Sequence, residues 1–136
     1  MFLETELKIV IVENNPEDQH MIKYAFRETG ASPELVFIES GMDLIEHLDV
    51  AEPEDHPSLI VLDHNMPELD GIETLHRIKD NPFTKHIPVV IYTSGVSVNT
   101  KQKLKEVGAL LVVEKGDGLP KLIEQAKFFI ELIIGA

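Results

Sequence analysis

The chain is organised around residues 59–71, which read LIVLDHNMPELDG. Four apolar residues run directly into Asp63, and the turn-forming Pro67 and the pair Asp70-Gly71 follow. A short apolar run bounded by turn signals predicts a strand that is buried on both faces. Asp63 then follows the carboxyl end of this strand, where ligands bind in open parallel α/β sheets. Position alone does not decide its role, because an acid here can also make an Asx turn or cap the next helix.

Apolar, β-branched runs alternate with segments of helical periodicity on both sides of this stretch. The predicted strands span residues 7–12, 34–38, 59–62, 87–92 and 109–113. The predicted helices run from residue 16 to about 29, 41 to about 50, 71 to about 80, 99 to about 107 and 119 to about 134. Helix-length connections between successive strands favour parallel pairing with right-handed crossovers. The pattern therefore predicts the α/β class, with a doubly wound, five-stranded parallel sheet.

Helical spacing also predicts which side chains face the core. These are Met21, Ile22 and Ala25 in the first helix, Met42, Ile45 and Leu48 in the second, and Leu119, Leu122, Ile123, Ala126, Ile130 and Ile133 in the last. Phe128 and Leu132 lie four residues apart on the opposite side of the last helix. An aromatic residue and a leucine side by side on an outer face are typical of a contact surface. We expect this pair to form a homodimer contact or a partner site.

The composition disfavours several classes of function. The formal net charge of -12 argues against direct binding to nucleic acid or to an anionic membrane. No apolar stretch is long enough to span a bilayer, and the acidic residues 1–6 are unlike a signal peptide. The absence of cysteine excludes disulfides and thiolate chemistry and fits a cytoplasmic protein. A length of 136 residues suits one domain with a full core.

Polar residues follow four of the five predicted strands. They are Glu13 and Asn14 after the first, Asp63 and Asn65 after the third, Thr93 and Ser94 after the fourth, and Lys115 after the fifth. Because parallel strands deliver their carboxyl ends to one edge of the sheet, we expect these side chains to meet in one crevice. Each would be an ordinary surface residue by itself, but packing does not easily explain carboxylates, hydroxyls and an ammonium that converge.

The order and spacing of these residues resemble the receiver domain of two-component response regulators, the phosphoacceptor module related to the single-domain chemotaxis regulators. The resemblance rests on the run LDHNMP at residues 62–67, Asp70-Gly71, Glu13, Thr93-Ser94 and Lys115. It extends from about Leu7 to Ile134. It implies a flavodoxin-like (βα)5 fold, which is a three-layer α/β/α sandwich. Residues 1–136 would form a single receiver domain, with a core at about 7–134 and no output domain.

The resemblance also implies a role for each residue of the crevice. Asp63 would accept a phosphoryl group from a histidine kinase or a phosphotransfer protein and signal to an unknown downstream protein, as a signalling domain and not an enzyme. A carboxylate that attacks phosphorus needs a cation to offset charge on the phosphoryl oxygens. In the family this cation is Mg²⁺, and Glu13, Asp63 and the backbone carbonyl of Asn65 would hold it. Thr93 would hydrogen-bond one phosphoryl oxygen, and Lys115 would pair with another.

Three positions depart from the family pattern. Asn14 stands where a second acid is usual, which predicts weaker Mg²⁺ binding. Val112 stands where an aromatic residue usually reports phosphorylation. Gly116 replaces a proline that usually follows the lysine through a cis bond, so we expect a trans bond and a looser loop. These departures favour an alternative function, a pseudo-receiver that binds proteins constitutively without efficient Mg²⁺-dependent phosphorylation, whereas Asp63 and Lys115 favour a working phosphoacceptor.

Overall fold

The structure is a computed structural model that describes residues 7–64 and 70–135. Across these residues, strands and α-helices alternate as the sequence predicts. The strands are β1 (Lys8–Val12), β2 (Glu34–Ile38), β3 (Leu59–Leu62), β4 (Val89–Thr93) and β5 (Leu111–Glu114). The helices are α1 (Pro16–Glu28), α2 (Gly41–Val50), α3 (Gly71–Asp80), α4 (Val98–Val107) and α5 (Leu119–Ile134). The strands pair in parallel in the order β2-β1-β3-β4-β5, which is the predicted doubly wound sheet.

The central strand β3 explains how the sheet is covered on both faces. None of its four residues is more than 2% exposed. Successive side chains of a strand point to opposite faces. Ile60 and Leu62 accordingly join the core cluster that α2, α3 and α4 cover, and Leu59 and Val61 join the one that α1 and α5 cover. The result is the three-layer α/β/α sandwich that the resemblance implies.

Local signals in the sequence set both ends of α1. The side chain of Asn15 caps the helix, because its Oδ1 accepts the N–H groups of Glu17 at 2.9 Å and of Asp18 at 3.2 Å. Pro16 is the first helical residue, and Gly30 follows the helix with a φ of +83° that glycine adopts readily. The cap therefore fixes Asp18 in the first turn of α1, next to the carboxyl edge of the sheet.

The prediction that Met21 and Met42 face the core is wrong. Met21 is 40% exposed and Met42 is 37% exposed. Ile22 and Ala25 in α1 and Leu48 in α2 are buried as predicted, and Phe26 and Leu44 are buried in addition. Apolar residues in these helices spread over more than one face, so spacing alone allows more than one inward direction. Packing against the sheet selects the direction in which Phe26 and Leu44 are buried.

The last helix is rotated slightly from its predicted orientation. Ala126 and Ile130 are buried as expected, but Phe129 also faces the core and is 2% exposed. Phe128 is exposed as predicted, at 40%, whereas Leu132 is partly buried against the core cluster on this face. The prediction that Leu132 shares an outer face with Phe128 is therefore wrong, because Leu132 continues the stripe of Phe129 at a spacing of three residues. No helix within residues 7–64 and 70–135 is both long and apolar enough to cross a membrane.

The two strands at one side of the sheet end later than predicted. β4 begins at Val89 and not at residue 87, since Pro88 has no N–H to give to a neighbouring strand. β4 includes Thr93, which pairs in register with Glu114 at the end of β5. Lys115 therefore follows β5 directly and stands at the carboxyl edge of the sheet.

Candidate functional site

The backbone extends the sheet by one residue at the carboxyl edge. The N–H of Asp63 donates to the carbonyl of Val12 at 3.2 Å, and the N–H of Lys115 donates to the carbonyl of Thr93 at 2.8 Å. Asp63 and Lys115 thus make the same kind of backbone hydrogen bond as strand residues, although they come after the strands. By strand alternation, Glu13, Asp63 and Lys115 belong to the face of the sheet that α1 and α5 cover. The predicted crevice therefore opens beside the start of α1.

The ammonium of Lys115 lies among three carboxylates. Its Nζ is 2.6 Å from Oε1 of Glu13, 3.6 Å from Oδ2 of Asp63 and 3.8 Å from Oδ2 of Asp18. The side chains of Glu13 and Asp63 are only 3% and 10% exposed, so water screens their charges poorly. The structure thus brings together Glu13, Asp63 and Lys115, which the sequence predicts to meet.

Glu13 is fixed at both oxygens. Its Oε1 accepts a hydrogen bond from Lys115 at 2.6 Å, and its Oε2 accepts the backbone N–H of Asn15 at 3.1 Å. The Glu13 carbonyl accepts the side-chain amide of Gln19 on α1. A buried carboxylate needs such partners to offset the loss of hydration. Glu13 is therefore a carboxylate that is held in place within the crevice, where its oxygens can act as metal ligands.

The carboxylates keep Lys115 charged. Burial alone would lower the pKa of its ammonium, but the hydrogen bond with Glu13 and the charges of Asp63 and Asp18 outweigh burial and raise the pKa above 10.5. Lys115 consequently carries its positive charge throughout the physiological pH range. A fixed cation beside Asp63 is what a carboxylate requires if it is to accumulate further negative charge.

Thr93 ends β4, on the strand next to β3. The residue is 1% exposed, and its Oγ1 accepts the N–H of Gly95 at 3.3 Å. Ser94 beside it is exposed. The hydroxyl of Thr93 therefore belongs to the carboxyl edge as predicted, in a buried position that the backbone of the following loop supports.

The two other predicted metal ligands are Asn14 and the carbonyl of Asn65. Asn14 is exposed, unlike its neighbour Glu13. The carbonyl of Asn65 lies outside the residues that the structure describes. Among residues 7–64 and 70–135, no group of three or more His, Asp or Glu side chains could by itself hold a metal ion. Any ion at this edge would therefore need water or backbone oxygens in addition to carboxylates.

Val112 and Gly116 occupy the other two positions that depart from the family pattern. Val112 is partly buried in the cluster that α2, α3 and α4 cover, on the opposite face from Lys115. The bond from Lys115 to Gly116 is trans, as expected. The expectation of a loose loop is wrong, however, because Gln125 of α5 hydrogen-bonds both the carbonyl of Glu114 and the N–H of Gly116.

Asp18 and Gln125 are the residues that sequence reasoning missed. Asp18 looked like an ordinary acid in the first turn of a helix, where it favours the helix dipole. Its position five residues after Glu13 was the available signal, because the first turn of a helix that follows a strand begins at the same edge of the sheet. Gln125 gave no comparable signal, since its partners lie nine and eleven residues earlier across a loop.

His64 follows Asp63 in the chain and packs against the start of α3. A Cβ at Gly71 would come within 2.7 Å of the His64 Nδ1, so only glycine fits this approach without a shift. The N–H of Gly71 donates to the His64 carbonyl at 3.3 Å. Glycine at position 71 therefore lets α3 begin close to the phosphoacceptor candidate.

Comparison with known proteins agrees with this geometry. The family model of the response regulator receiver domain matches residues 9–127. The polar-differentiation response regulator DivK of Brucella ovis is 29% identical over 122 residues, which are 90% of this chain and 94% of DivK. The phosphorylated cyanobacterial phytochrome response regulator RcpA has a TM-score of 0.85 at 28% identity, covering 95% of this chain and 94% of that one. The Mn²⁺-bound form of response regulator Rcp1 has a TM-score of 0.79 at 26% identity, covering 92% of each chain. Because the family model covers most of the sequence and the fold matches, the chain belongs to the response regulator receiver domain family.

Proposed function

We propose that Asp63 accepts a phosphoryl group from a phosphohistidine of a histidine kinase or phosphotransfer protein, and that the protein then signals by binding a separate downstream protein. The observation that carries the proposal is the pairing of the buried Asp63 carboxylate with the Lys115 ammonium, 3.6 Å apart at the carboxyl edge. Receivers of this family work in two-component signalling, with histidine kinases or phosphotransfer proteins as partners. They are signalling domains and not conventional enzymes.

The transfer requires one bond to form and one to break. An Oδ atom of Asp63 attacks phosphorus, and the bond from phosphorus to the donor's imidazole nitrogen breaks with its electron pair left on nitrogen. The transferred group brings negative charge next to a carboxylate, so fixed positive charge and hydrogen-bond donors must face it. Lys115 supplies the charge and moves from Glu13 towards a phosphoryl oxygen. Thr93 supplies a hydroxyl from the neighbouring strand.

The donor set suits a hard divalent cation. Mg²⁺ prefers oxygen ligands, keeps several waters and is commonly held through one or two carboxylates. Glu13 and Asp63 provide two buried carboxylates at one edge, and their joint contact with Lys115 marks a place where positive charge is stabilised. We therefore assign Glu13 and Asp63 as ligands, with the carbonyl of Asn65 as the expected third. When bound, the ion supplies charge neutralisation to the phosphoryl oxygens, and the Mn²⁺-bound form of Rcp1 supports such a site.

A small phosphodonor tests this function. Incubation with acetyl phosphate and Mg²⁺ should raise the intact mass by one phosphoryl group, and omission of Mg²⁺ should slow the uptake strongly. Uptake at the same rate without any divalent ion would contradict the metal assignment. If no uptake occurs at millimolar donor and Mg²⁺, the pseudo-receiver reading replaces this one, and the domain acts as a constitutive binding module.

We predict that Asn14→Asp tightens Mg²⁺ binding. A carboxylate attracts the ion more strongly than a carboxamide, but it adds repulsion to a site that already holds Glu13, Asp63 and Asp18. Thermal stability should therefore fall without metal and recover on adding Mg²⁺. A magnesium titration followed by thermal unfolding measures both effects. Gln102→Glu on the exposed side of α4 adds the same charge as a control, and equal binding in Asn14→Asp and the parent would show that position 14 does not face the ion.

A homodimer contact through α5 remains a prediction, and it now rests on Phe128. The Phe128 ring is 40% exposed, whereas Leu132 is partly buried in the core. Phe128→Glu should therefore shift a self-associating protein to monomer in sedimentation velocity, while circular dichroism shows that the monomer stays folded. Unchanged sedimentation of the parent and Phe128→Glu would leave the ring as ordinary surface.

A further inference from the structure

The side chain of Gln125 in α5 hydrogen-bonds the backbone on both sides of Lys115. The Nε2 of Gln125 donates to the carbonyl of Glu114 at 2.8 Å. The Oε1 of Gln125 accepts the N–H of Gly116 at 2.9 Å. The orientation of the amide follows from these partners, since a flipped amide would set its NH₂ against an N–H and its oxygen against a carbonyl. The backbone around Lys115 is therefore tied to the middle of α5.

Tyr92 in β4 also contacts the side-chain amide of Gln125. Its hydroxyl donates to the Oε1 of Gln125. The Tyr92 ring is 4% exposed, stands edge to face with Phe129 at 5.4 Å, and lies 6.0 Å from the Nζ of Lys115. Burial raises the pKa of Tyr92 to about 12, so the phenol remains a donor at physiological pH. Tyr92 precedes Thr93 on β4, and the Gln125 amide thus connects β4, α5 and the Lys115 loop.

The absence of a side chain at Gly116 allows α5 to approach the loop closely. A Cβ at position 116 would come within 2.5 Å of the Lys121 Cγ, 2.9 Å of the Lys121 Cβ and 3.0 Å of the Gln125 Oε1. A proline at this position would lack the N–H that Gln125 accepts. Where the family pattern has a proline, a hydrogen bond from Gly116 to Gln125 holds the loop against the helix here.

We propose that Gln125 is a positioning residue, which holds Lys115 at the acidic crevice and transmits movement of that lysine to α5. The inference rests on the proposed function of Asp63. Lys115 reaches the 2.6 Å contact with Glu13 from a backbone that Gln125 holds at residues 114 and 116. If Lys115 turns from Glu13 towards a phosphoryl oxygen, the strain on this backbone passes through the same two hydrogen bonds to α5.

The test compares the rates of phosphoryl uptake from acetyl phosphate with Mg²⁺, measured by intact mass. Gln125→Met keeps the length of the side chain but removes the hydrogen bonds, and it should slow uptake by about tenfold. Gln102→Met makes the same change on the exposed side of α4 and should leave the rate unchanged. Gln125→Ala, which adds no volume, serves the same comparison if the methionine variant folds poorly.

A second arm separates positioning from a general structural role. In a Lys115→Met background, Gln125→Met should cause no further loss of rate, because the lysine that Gln125 positions is gone. A parent-like rate in Gln125→Met, or the same fold loss with and without Lys115, would overturn the proposal. If the parent protein takes up no phosphoryl group, the proposed function of Asp63 is rejected. Urea unfolding then tests whether Gln125 positions Lys115. Gln125→Met should then lower the unfolding midpoint more in the parent than in the Lys115→Met background, and equal shifts would overturn it.

Discussion

Asp63→Asn is expected to abolish phosphoryl uptake while the protein stays folded. Asparagine keeps the size of the side chain but lacks the anionic oxygen that attacks phosphorus. Loss of a nucleophile lowers the rate of a reaction by at least about a thousandfold. The fold should survive, since Lys115 keeps its 2.6 Å contact with Glu13. Intact-mass time courses measure the uptake, and circular dichroism checks the fold.

Asp18→Asn provides the matched control for this result. It makes the same chemical change on a carboxylate that faces the same ammonium, at 3.8 Å, but whose side chain is 49% exposed. We expect uptake within about threefold of the parent, since an ion pair with a solvent-exposed carboxylate contributes little free energy. Uptake that survives in Asp63→Asn and disappears in Asp18→Asn would show that the wrong acid has been assigned.

Lys115→Met should cost both uptake and stability. The change leaves the Glu13 carboxylate, whose side chain is 3% exposed, without its closest cation. Breaking a fully buried ion pair costs about 3–5 kcal/mol, and we expect about 2–3 kcal/mol here because the Lys115 side chain is 18% exposed. Urea unfolding at neutral pH measures this loss. The folded-state pKa of Lys115 is raised, so the pair contributes fully below pH 10.5 and is lost as pH rises further, and the parent and variant should converge in alkali.

A double variant identifies the cause of that loss. Glu13→Gln in the Lys115→Met background removes the unpaired charge and should restore much of the unfolding free energy, although phosphoryl uptake stays low. If Lys115→Met is as stable as the parent, or if Glu13→Gln brings no recovery, the contact at 2.6 Å does not carry the electrostatic role assigned to it.

The fold follows from the sequence because its signals are local and repeated. The run LIVL of β3 has the length and composition of a strand buried on both faces, and it is buried on both faces. The Asn15 cap and Gly30 delimit α1 through contacts within a few residues of one another. The convergence of Glu13, Asp63 and Lys115 follows from two rules, that parallel strands share a carboxyl edge and that alternate residues share a face.

What the sequence does not predict depends on packing between distant elements. The sequence alone does not decide whether Met42 or Leu44 of α2 faces inward, because packing against the sheet sets the orientation of the helix. Gln125 holds the Lys115 loop through backbone atoms, which leave no trace in the residue types of that loop. The replacement of a proline by Gly116 predicts a looser loop, whereas the hydrogen bonds from Gln125 anchor this loop to α5.

The most direct measurement maps the phosphoryl group to a residue. The parent protein is incubated with acetyl phosphate and Mg²⁺, reduced with borohydride, which converts an aspartyl phosphate to homoserine, and digested for peptide mass spectrometry. We predict homoserine at position 63, and none at Asp18 or elsewhere. Homoserine at another aspartate, or none at any position in a protein whose mass has not increased, would contradict the assignment of Asp63 as the phosphoacceptor.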